Sequence, residues 1–134
     1  MKYLLDTNVL SDFARGHAAV SGRLRREKPR DVAISVVTEF EVEYGLARKS
    51  SMSSAMRQAM ADLVAAVEIL PFEREDARVA GRLRAALAEA GQPIGPYDLL
   101  LAATALRRGL GIVTHNAREF ARVGGLVIED WRAA

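Results

Sequence analysis

Short apolar runs alternate with longer amphipathic stretches along this chain. The short runs, rich in β-branched residues and leucine, predict buried strands at residues 2–5, 32–37, 68–70, 111–114 and 126–128. Apolar residues at helical spacing predict helices after the first strand and over residues 17–28, 76–90 and 99–106, with one helical turn at 118–120. Because strands alternate with helices throughout, we predict an α/β sandwich whose central sheet is mainly parallel.

The segment TEFEVEYGLAR, residues 38–48, is compatible with two structures. As a strand it would present Glu39, Glu41 and Glu43 on one outward face. As a helix that starts near Thr38, successive acids would be rotated by about 200°, so that they could not all face the same way. Residues 50–54 (SSMSS) predict a loop, and the methionine stripe that follows it predicts packing against the core or another helix.

Composition is that of a single folded domain spanning residues 1–134. Half of the residues are hydrophobic and 27% are charged, which excludes a disordered chain. The absence of cysteine excludes disulfides and thiolate zinc sites and is compatible with the cytoplasm. The first apolar run stops at Asp6, which is too early for a signal peptide or a membrane span, so we expect a soluble protein.

Positive charge is concentrated in one segment of the chain. Between Arg15 and Arg30 there are six basic residues and one acid, Glu27, a local balance of +5 that leaves −3 for the remainder. This distribution is typical of a polyanion-binding protein with a separate cation site. The alternative is a helix face that is simply solvated.

One carboxylate, Asp98, lies at the start of a segment that is otherwise almost wholly apolar. From Leu99 to Leu106 the only polar side chain is Thr104, so a helix here would be buried on nearly every side. An ionised group in its first turn is explained by a helix cap, by a paired base or by a bound cation. The segment alone does not distinguish these explanations.

Polar residues also follow two of the predicted strands. Asp6, Thr7 and Asn8 follow the first, and His115 and Asn116 follow the strand GIVT. The carboxyl ends of parallel strands meet at one edge of a sheet, so Asp6 and Asn116 are expected to lie close together. An N-terminal helix cap is the simpler reading of Asp6, and an ordinary surface residue is the simpler reading of His115.

An active site at this edge would combine Asp6, Asp98, Asn116 and one of the three glutamates. Clustered carboxylates repel one another unless a cation holds them, and oxygen ligands without cysteine favour Mg²⁺ or Mn²⁺ over Zn²⁺. Such ions activate water and stabilise the charge that builds on a phosphate, so phosphodiester hydrolysis is the predicted reaction class. The sequence contains no cysteine nucleophile, GxSxG elbow, P-loop or GxGxxG motif.

Four motifs occur in a consistent order: LLDTNVL, SVVTEFEVEYG, PIGPYDLLLAATAL, and IVTHNAREFARVGGL followed by EDW. Together, from Lys2 to Trp131, they resemble the PIN-domain ribonucleases, specifically the VapC-type toxins of bacterial toxin–antitoxin pairs. The resemblance implies a three-layer α/β/α fold, a Mg²⁺-dependent endoribonuclease that cuts single-stranded RNA, and inhibition by a small antitoxin protein. It also implies a homodimer, and it favours a tRNA as substrate.

The same resemblance assigns roles to individual residues. Its three metal-binding acids fall on Asp6, Glu41 and Asp98, which leaves Glu39 and Glu43 as solvent-facing or substrate-edge acids. Many PIN domains carry a fourth acid after the strand IVT, where this chain has Thr114, His115 and Asn116. Asn116 can coordinate through its amide oxygen but adds no charge, and Glu119 is the possible substitute.

Further residues are predicted to support these acids. Three side chains are expected to orient the metal-binding carboxylates: Thr7, Asn8 and Thr114. The residues expected to contact the RNA are Arg15, Arg23, Arg25, Arg26 and His115. Two alternatives remain from the sequence, namely an aspartyl-phosphate phosphatase built on the D-T-N turn and a catalytically silent module that binds RNA or a protein partner.

Overall fold

The protein is built on a central parallel sheet. The computed structural model describes residues 1–48 and 52–133, and within these ranges the sheet has five strands. The strands are β1 (Tyr3–Leu5), β2 (Val32–Ser35), β3 (Glu68–Leu70), β4 (Gly111–Val113) and β5 (Ile128–Glu129). Their order is β3-β2-β1-β4-β5 and every pair is parallel, which confirms the predicted sheet. The order reverses between β1 and β4, where ligands of open α/β sheets usually bind.

Helices cover both faces of this sheet. In the described ranges they are α1 (Thr7–Ala14), α2 (Ala18–Arg26), α3 (Val36–Ala47), α4 (Ser54–Ala66), α5 (Arg74–Glu89), α6 (Pro96–Arg108) and α7 (Ala117–Phe120). A 3₁₀ turn, Pro29–Asp31, leads into β2. None of the helices in the described part of the chain is long and apolar enough to cross a membrane.

Two hydrophobic cores lie on opposite faces of the sheet, because successive side chains of a strand point to opposite sides. Leu4 joins the core formed with α5 and α6, which includes Leu87 and Leu101. Leu5 joins the core on the other face, to which α1 contributes Val9 and α4 contributes Met60. The predicted three-layer α/β/α sandwich is therefore confirmed.

Several boundaries differ from the sequence predictions. The strand predicted over residues 32–37 ends at Ser35, because the Ser35 hydroxyl accepts a hydrogen bond from the Val37 amide (3.0 Å) and caps α3. The last strand is shifted from residues 126–128 to Ile128–Glu129. The predicted loop at 50–54 lies partly outside the described residues, since Ser50 and Ser51 are not among them.

Residues 38–47 are helical, so the second of the two structures considered for this segment is correct. In α3, Glu39 and Glu41 are partly buried, whereas Glu43 is exposed. The methionine stripe packs as predicted at Met60 and Leu63, which are buried in α4. The helical conformation of α3 brings the side chain of Glu41 within hydrogen-bond distance of Thr7, at the carboxyl end of β1.

Candidate active site

The predicted acids are carried by three different elements. Asp6 directly follows β1 and is the N-cap of α1, Glu41 lies in α3, and Asp98 is the third residue of α6. Asp6 is 5% exposed. Hydrogen bonds through Thr7 join Asp6 to Glu41, and hydrogen bonds through Thr114 and Asn116 join Asp6 to Asp98 and Glu119. We call these four acids the acidic cluster.

The carboxylate of Asp6 is held by donors from two strand ends. Its Oδ1 accepts a hydrogen bond from the Thr7 amide (2.7 Å), and its Oδ2 accepts from the Thr114 hydroxyl (2.8 Å) and from Asn8 Nδ2 (3.2 Å). Burial raises the pKa of Asp6, and these hydrogen bonds only partly oppose that rise. Asp6 is therefore an N-cap and also a fixed, partly desolvated anion.

Glu41 is tied to the same turn. Its Oε1 accepts a hydrogen bond of 2.7 Å from the hydroxyl of Thr7, across 34 positions of sequence. Thr7 thus contacts two acids, because its amide binds Asp6 while its hydroxyl binds Glu41. Thr7, Asn8 and Thr114 each donate a hydrogen bond to a carboxylate of this site, and their role in orienting metal ligands stays a prediction.

In the part of the chain that the structure describes, Asp98 neither caps a helix nor pairs with a basic side chain. Gly95 occupies the N-cap position of α6, and in the described residues the only side chain that donates to Asp98 is the Asn116 amide, at 3.4 Å from Oδ2. Burial, followed by the negative charges of Asp6, Glu119 and Glu41 in that order, raises the pKa of Asp98 to about 6. Of the three explanations open from the sequence, the helix cap and the paired base are not found among the described residues.

Glu119 supplies a fourth negative charge at this site. Its Oε1 accepts from the backbone amide of Gly95 (2.6 Å) and its Oε2 accepts from Asn116 Nδ2 (2.8 Å). The Gly95 amide is the main cause that lowers the pKa of Glu119, followed by Asn116. Because Asn116 turns its amide nitrogen towards both Asp98 and Glu119, it acts here as a donor that links two acids, and its coordination of a cation stays a prediction.

The donor set fits a hard divalent cation. In the described residues, the groups that hydrogen-bond to the four acids are hydroxyls and amides, and a carboxylate with a raised pKa gains most from a nearby positive charge. In residues 1–48 and 52–133, no three Asp, Glu or His side chains already form a ready-made coordination sphere. The ligand types and the negative charge of the site are therefore what fit a divalent cation. The acids that could hold it are Asp6, Glu41 and Asp98.

A second network borders the cluster and was not found from the sequence. Asp12 is buried in α1 and accepts two hydrogen bonds from Arg132, at 2.6 and 2.7 Å. The same carboxylate lies 3.2 Å from Nδ1 of His115. The sequence does show that Asp12 is a charged residue between the apolar positions Val9 and Phe13. No sequence pattern, however, links Asp12 to Arg132.

The four arginines predicted to contact RNA differ in their surroundings. The guanidinium of Arg23 binds Glu27 and Glu129 and lies over the ring of Trp131, and these contacts brace α2 against β5. The other three are exposed: Arg15, Arg25 and Arg26. Their contact with RNA stays a prediction.

Comparisons with known proteins agree with this architecture. The PIN domain family model matches residues 3–126. A protein of Shigella flexneri described as tRNA(fMet)-specific endonuclease VapC is 39% identical over 132 residues, which covers 98% of both proteins. A protein of Salmonella typhimurium with the same description is 36% identical over the same share of both.

Solved structures give the same result. The crystal structure of DNA-bound VapBC from Salmonella typhimurium contains a chain with a TM-score of 0.87 and 36% sequence identity, covering 98% of both chains. A VapBC2 structure from Rickettsia felis, bound to a promoter DNA fragment, has a TM-score of 0.84 and 29% identity. Both the sequence and the fold therefore agree along nearly the whole length. This chain belongs to the PIN-domain family and, within it, to the VapC proteins.

Proposed function

We propose that this protein is the toxin of a toxin–antitoxin pair and that it is a Mg²⁺-dependent endoribonuclease. The observation that carries this proposal is the carboxylate of Asp98, which lies on a buried helix among the charges of Asp6, Glu41 and Glu119 and has no basic partner in the described residues. Repulsion among these carboxylates destabilises the folded state in the absence of a counter-charge. A bound divalent cation would offset that repulsion, and the same ion can catalyse phosphodiester hydrolysis.

In this proposal the residues of the site have different roles. Asp6, Glu41 and Asp98 would hold Mg²⁺, or Mn²⁺ in its place, through carboxylate oxygens. When bound, the ion supplies an activated water and neutralises the charge of the phosphate during in-line displacement. Thr7 and Thr114 keep the carboxylates of Asp6 and Glu41 in fixed orientations, so that little reorganisation is needed when the substrate arrives.

Glu119 takes the place of the fourth acid that the strand IVT lacks. Its carboxylate is fixed from both sides by the Gly95 amide and by Asn116, and its charge is felt by Asp98. In this proposal Asn116 keeps the two acids at a set separation rather than serving as a ligand. The exposed arginines Arg15, Arg25 and Arg26 would contact the RNA backbone, which predicts that binding weakens as salt is raised.

The substrate class follows from the relatives. Two relatives that match over nearly their whole length are described as tRNA(fMet)-specific endonucleases, so we propose a tRNA, and the initiator tRNA first, as the RNA that is cut. The solved relatives are complexes of the VapBC type, which supports a small antitoxin as the protein partner. We also propose a homodimer that acts in the cytoplasm, where these RNAs are found.

The test is a cleavage assay with purified protein and an initiator tRNA transcript. We expect cutting in Mg²⁺ or Mn²⁺, no cutting in EDTA, and loss of cutting in Asp98→Asn with a circular dichroism spectrum like that of wild type. Glu43→Gln, which removes an exposed acid from the same helix as Glu41, is the matched control and should cut normally. RNA binding without any cutting in metal would instead support a silent binding module.

A growth assay tests the proposed role as the toxin of a toxin–antitoxin pair. Expression of the chain alone should stop growth, and co-expression with the product of the neighbouring reading frame should restore it. Asp98→Asn should be harmless in the same assay. Equal growth with the wild-type chain and with Asp98→Asn would contradict a toxin role.

A further inference from the structure

A continuous series of hydrogen bonds joins the segment after β5 to the acidic cluster. Arg132 donates from Nη2 to Oδ1 of Asp12 (2.6 Å) and from Nε to Oδ2 (2.7 Å). Asp12 Oδ2 also contacts Nδ1 of His115 at 3.2 Å. The backbone amide of His115 donates to Asn8 Oδ1 (3.3 Å), and Asn8 Nδ2 donates in turn to Asp6 (3.2 Å). The imidazole is therefore held at both its ring and its backbone.

This arrangement fixes which nitrogen of His115 carries the proton. The hydrogen bonds from Arg132 hold the pKa of Asp12 below its ordinary value, against the effect of burial, so Asp12 is an anion that can only accept. Nδ1 must then be the donor in the contact between His115 and Asp12. In a neutral imidazole the other nitrogen, Nε2, is left with a lone pair and is a hydrogen-bond acceptor.

The free nitrogen is available to a ligand at the border of the cluster. In the part of the chain that the structure describes, no group donates to His115 Nε2, and the side chain is 30% exposed. His115 follows Thr114, whose hydroxyl binds Asp6, and its backbone amide is joined to Asp6 through the side chain of Asn8. An acceptor at Nε2 in this position requires a donor on the substrate.

RNA carries such a donor next to every phosphate. The ribose 2′-hydroxyl donates and accepts hydrogen bonds, and it is the group by which a protein distinguishes RNA from DNA. We propose that His115, held by Asp12 and Arg132, accepts a hydrogen bond from the 2′-hydroxyl beside the cleaved phosphate and so makes the site selective for RNA. His115 is then a specificity-determining residue, and Asp12 and Arg132 are positioning residues. This inference rests on the proposed ribonuclease function.

The experiment compares ribose with 2′-deoxyribose at single positions. After the cut in the initiator tRNA transcript is mapped, short RNA substrates are made with one 2′-deoxynucleotide on either side of it. We expect one of these substitutions to slow wild-type cleavage roughly tenfold, the effect of one lost hydrogen bond. His115→Ala should slow cleavage of the all-ribose substrate by a similar factor, and it should show no further loss on the 2′-deoxy substrate.

Binding provides a second readout that does not depend on turnover. In the Asp98→Asn background, fluorescence anisotropy should show tighter binding of the all-ribose oligonucleotide than of the 2′-deoxy one. Adding His115→Ala should abolish that difference. A purely structural role of His115 would weaken binding of both oligonucleotides equally, which would overturn the proposal.

Variants of the supporting pair complete the test. Asp12→Asn and Arg132→Ala should lower the ribose-to-deoxyribose rate ratio, and Arg132→Lys should restore part of it. Asp76→Asn is the matched control, because Asp76 is another buried acid paired with arginines but lies against the opposite end of α6 from Asp98. It should keep the wild-type ratio even where it lowers the melting temperature.

The outcomes separate the two proposals. If Asp98→Asn is inactive on RNA but wild type cuts ribose and 2′-deoxy substrates equally at both positions, the 2′-hydroxyl contact is wrong and the ribonuclease function stands. If His115→Ala keeps the full wild-type ratio, the contact is also wrong. If wild type cuts no RNA in Mg²⁺ or Mn²⁺, the proposed function itself has failed.

Discussion

The hydroxyl of Thr7 donates a hydrogen bond of 2.7 Å to Oε1 of Glu41, and this bond connects the first turn of α1 with α3. Since the amide of Thr7 also binds Asp6, one residue sets the relative orientation of two of the three acids expected to bind metal. Groups that orient metal ligands in this way usually affect metal affinity and activity without touching the metal.

Replacement of Thr7 by valine tests this connection. Thr7→Val keeps the size and the backbone amide but removes the donor to Glu41, so we expect cleavage of RNA to fall roughly tenfold or more and the Mg²⁺ requirement to rise. The measurement is the cleavage rate as a function of Mg²⁺ concentration. Thr7→Ser keeps the hydroxyl and is the control. Equal Mg²⁺ curves for valine and wild type would show that the bond does not orient Glu41.

The raised pKa of Asp98 predicts an unusual dependence of stability on pH. Burial and the charges of Asp6, Glu119 and Glu41 raise the folded-state pKa to about 6, above the ordinary value of 3.8 that applies to the unfolded chain. Between these values the folded state binds more protons than the unfolded state. Without metal, stability contributed by Asp98 is thus present at low pH and is lost as the pH rises through about 6.

Thermal unfolding of Asp98→Asn in EDTA measures this effect. Near pH 7.5 the variant should melt at a higher temperature than wild type, because it lacks the repelled charge, and near pH 4 the difference should shrink. Addition of Mg²⁺ should stabilise wild type and leave the variant nearly unchanged. A lower melting temperature for Asp98→Asn in EDTA at pH 7.5 would contradict the assigned electrostatics.

The amide of Gly95 gives a backbone test of the fourth acid. Gly95 has a φ of −58°, which proline adopts, and Gly95→Pro removes the donor that binds Glu119. We expect this variant to cut RNA roughly tenfold more slowly than wild type, since the orientation of Glu119 is lost. Gly95→Ala is the control, because its added Cβ would meet Glu119 and Asp98 only at ordinary contact distances of 3.6 and 3.8 Å. Similar rates for the proline and alanine variants would argue against a role for this donor.

The Asp76 site separates stability from activity. Asp76 is fully buried at the start of α5, and burial opposes its ionisation, but hydrogen bonds from Arg107 and from the Glu73 amide outweigh burial and lower its pKa. Asp76→Ala leaves two arginines without this partner and removes the capping box, so we expect a loss of about 3 kcal/mol in the free energy of unfolding. Urea denaturation measures the loss. Cleavage well below the melting temperature should be normal, and a selective loss of activity in a folded variant would be contrary to this assignment.

The edge of the sheet at which the candidate site lies could be predicted from the sequence, whereas the strand order could not. Asp6 and Asn116 were placed there because each follows a buried strand, and that relation depends only on local pattern. The choice among Glu39, Glu41 and Glu43 required the helical phase of α3, and a period of two residues is compatible with both a strand and a helix. In the structure Glu39 and Glu41 are both partly buried, and the hydrogen bond from Thr7 is what joins Glu41 to the site.

The contacts that could not be predicted from the sequence join residues that are far apart along the chain. The role of Glu119 depends on a backbone amide 24 positions earlier, and Asp12 pairs with Arg132 across 120 positions. Neither pair leaves a periodic pattern in the sequence, because the two members of each pair are brought together only by the tertiary fold. Arg23 is a further case, since the local pattern of basic residues predicted an RNA contact but did not predict that its guanidinium binds Glu129 and lies over Trp131.

Divalent ion binding is the central claim, and isothermal titration calorimetry with Mn²⁺ measures it most directly. We expect wild type and Glu43→Gln to bind Mn²⁺ alike, and Asp6→Asn, Glu41→Gln and Asp98→Asn each to bind at least roughly tenfold more weakly, because each removes one charged oxygen ligand. Wild-type affinity in all three acid variants would show that these carboxylates do not form a cation site.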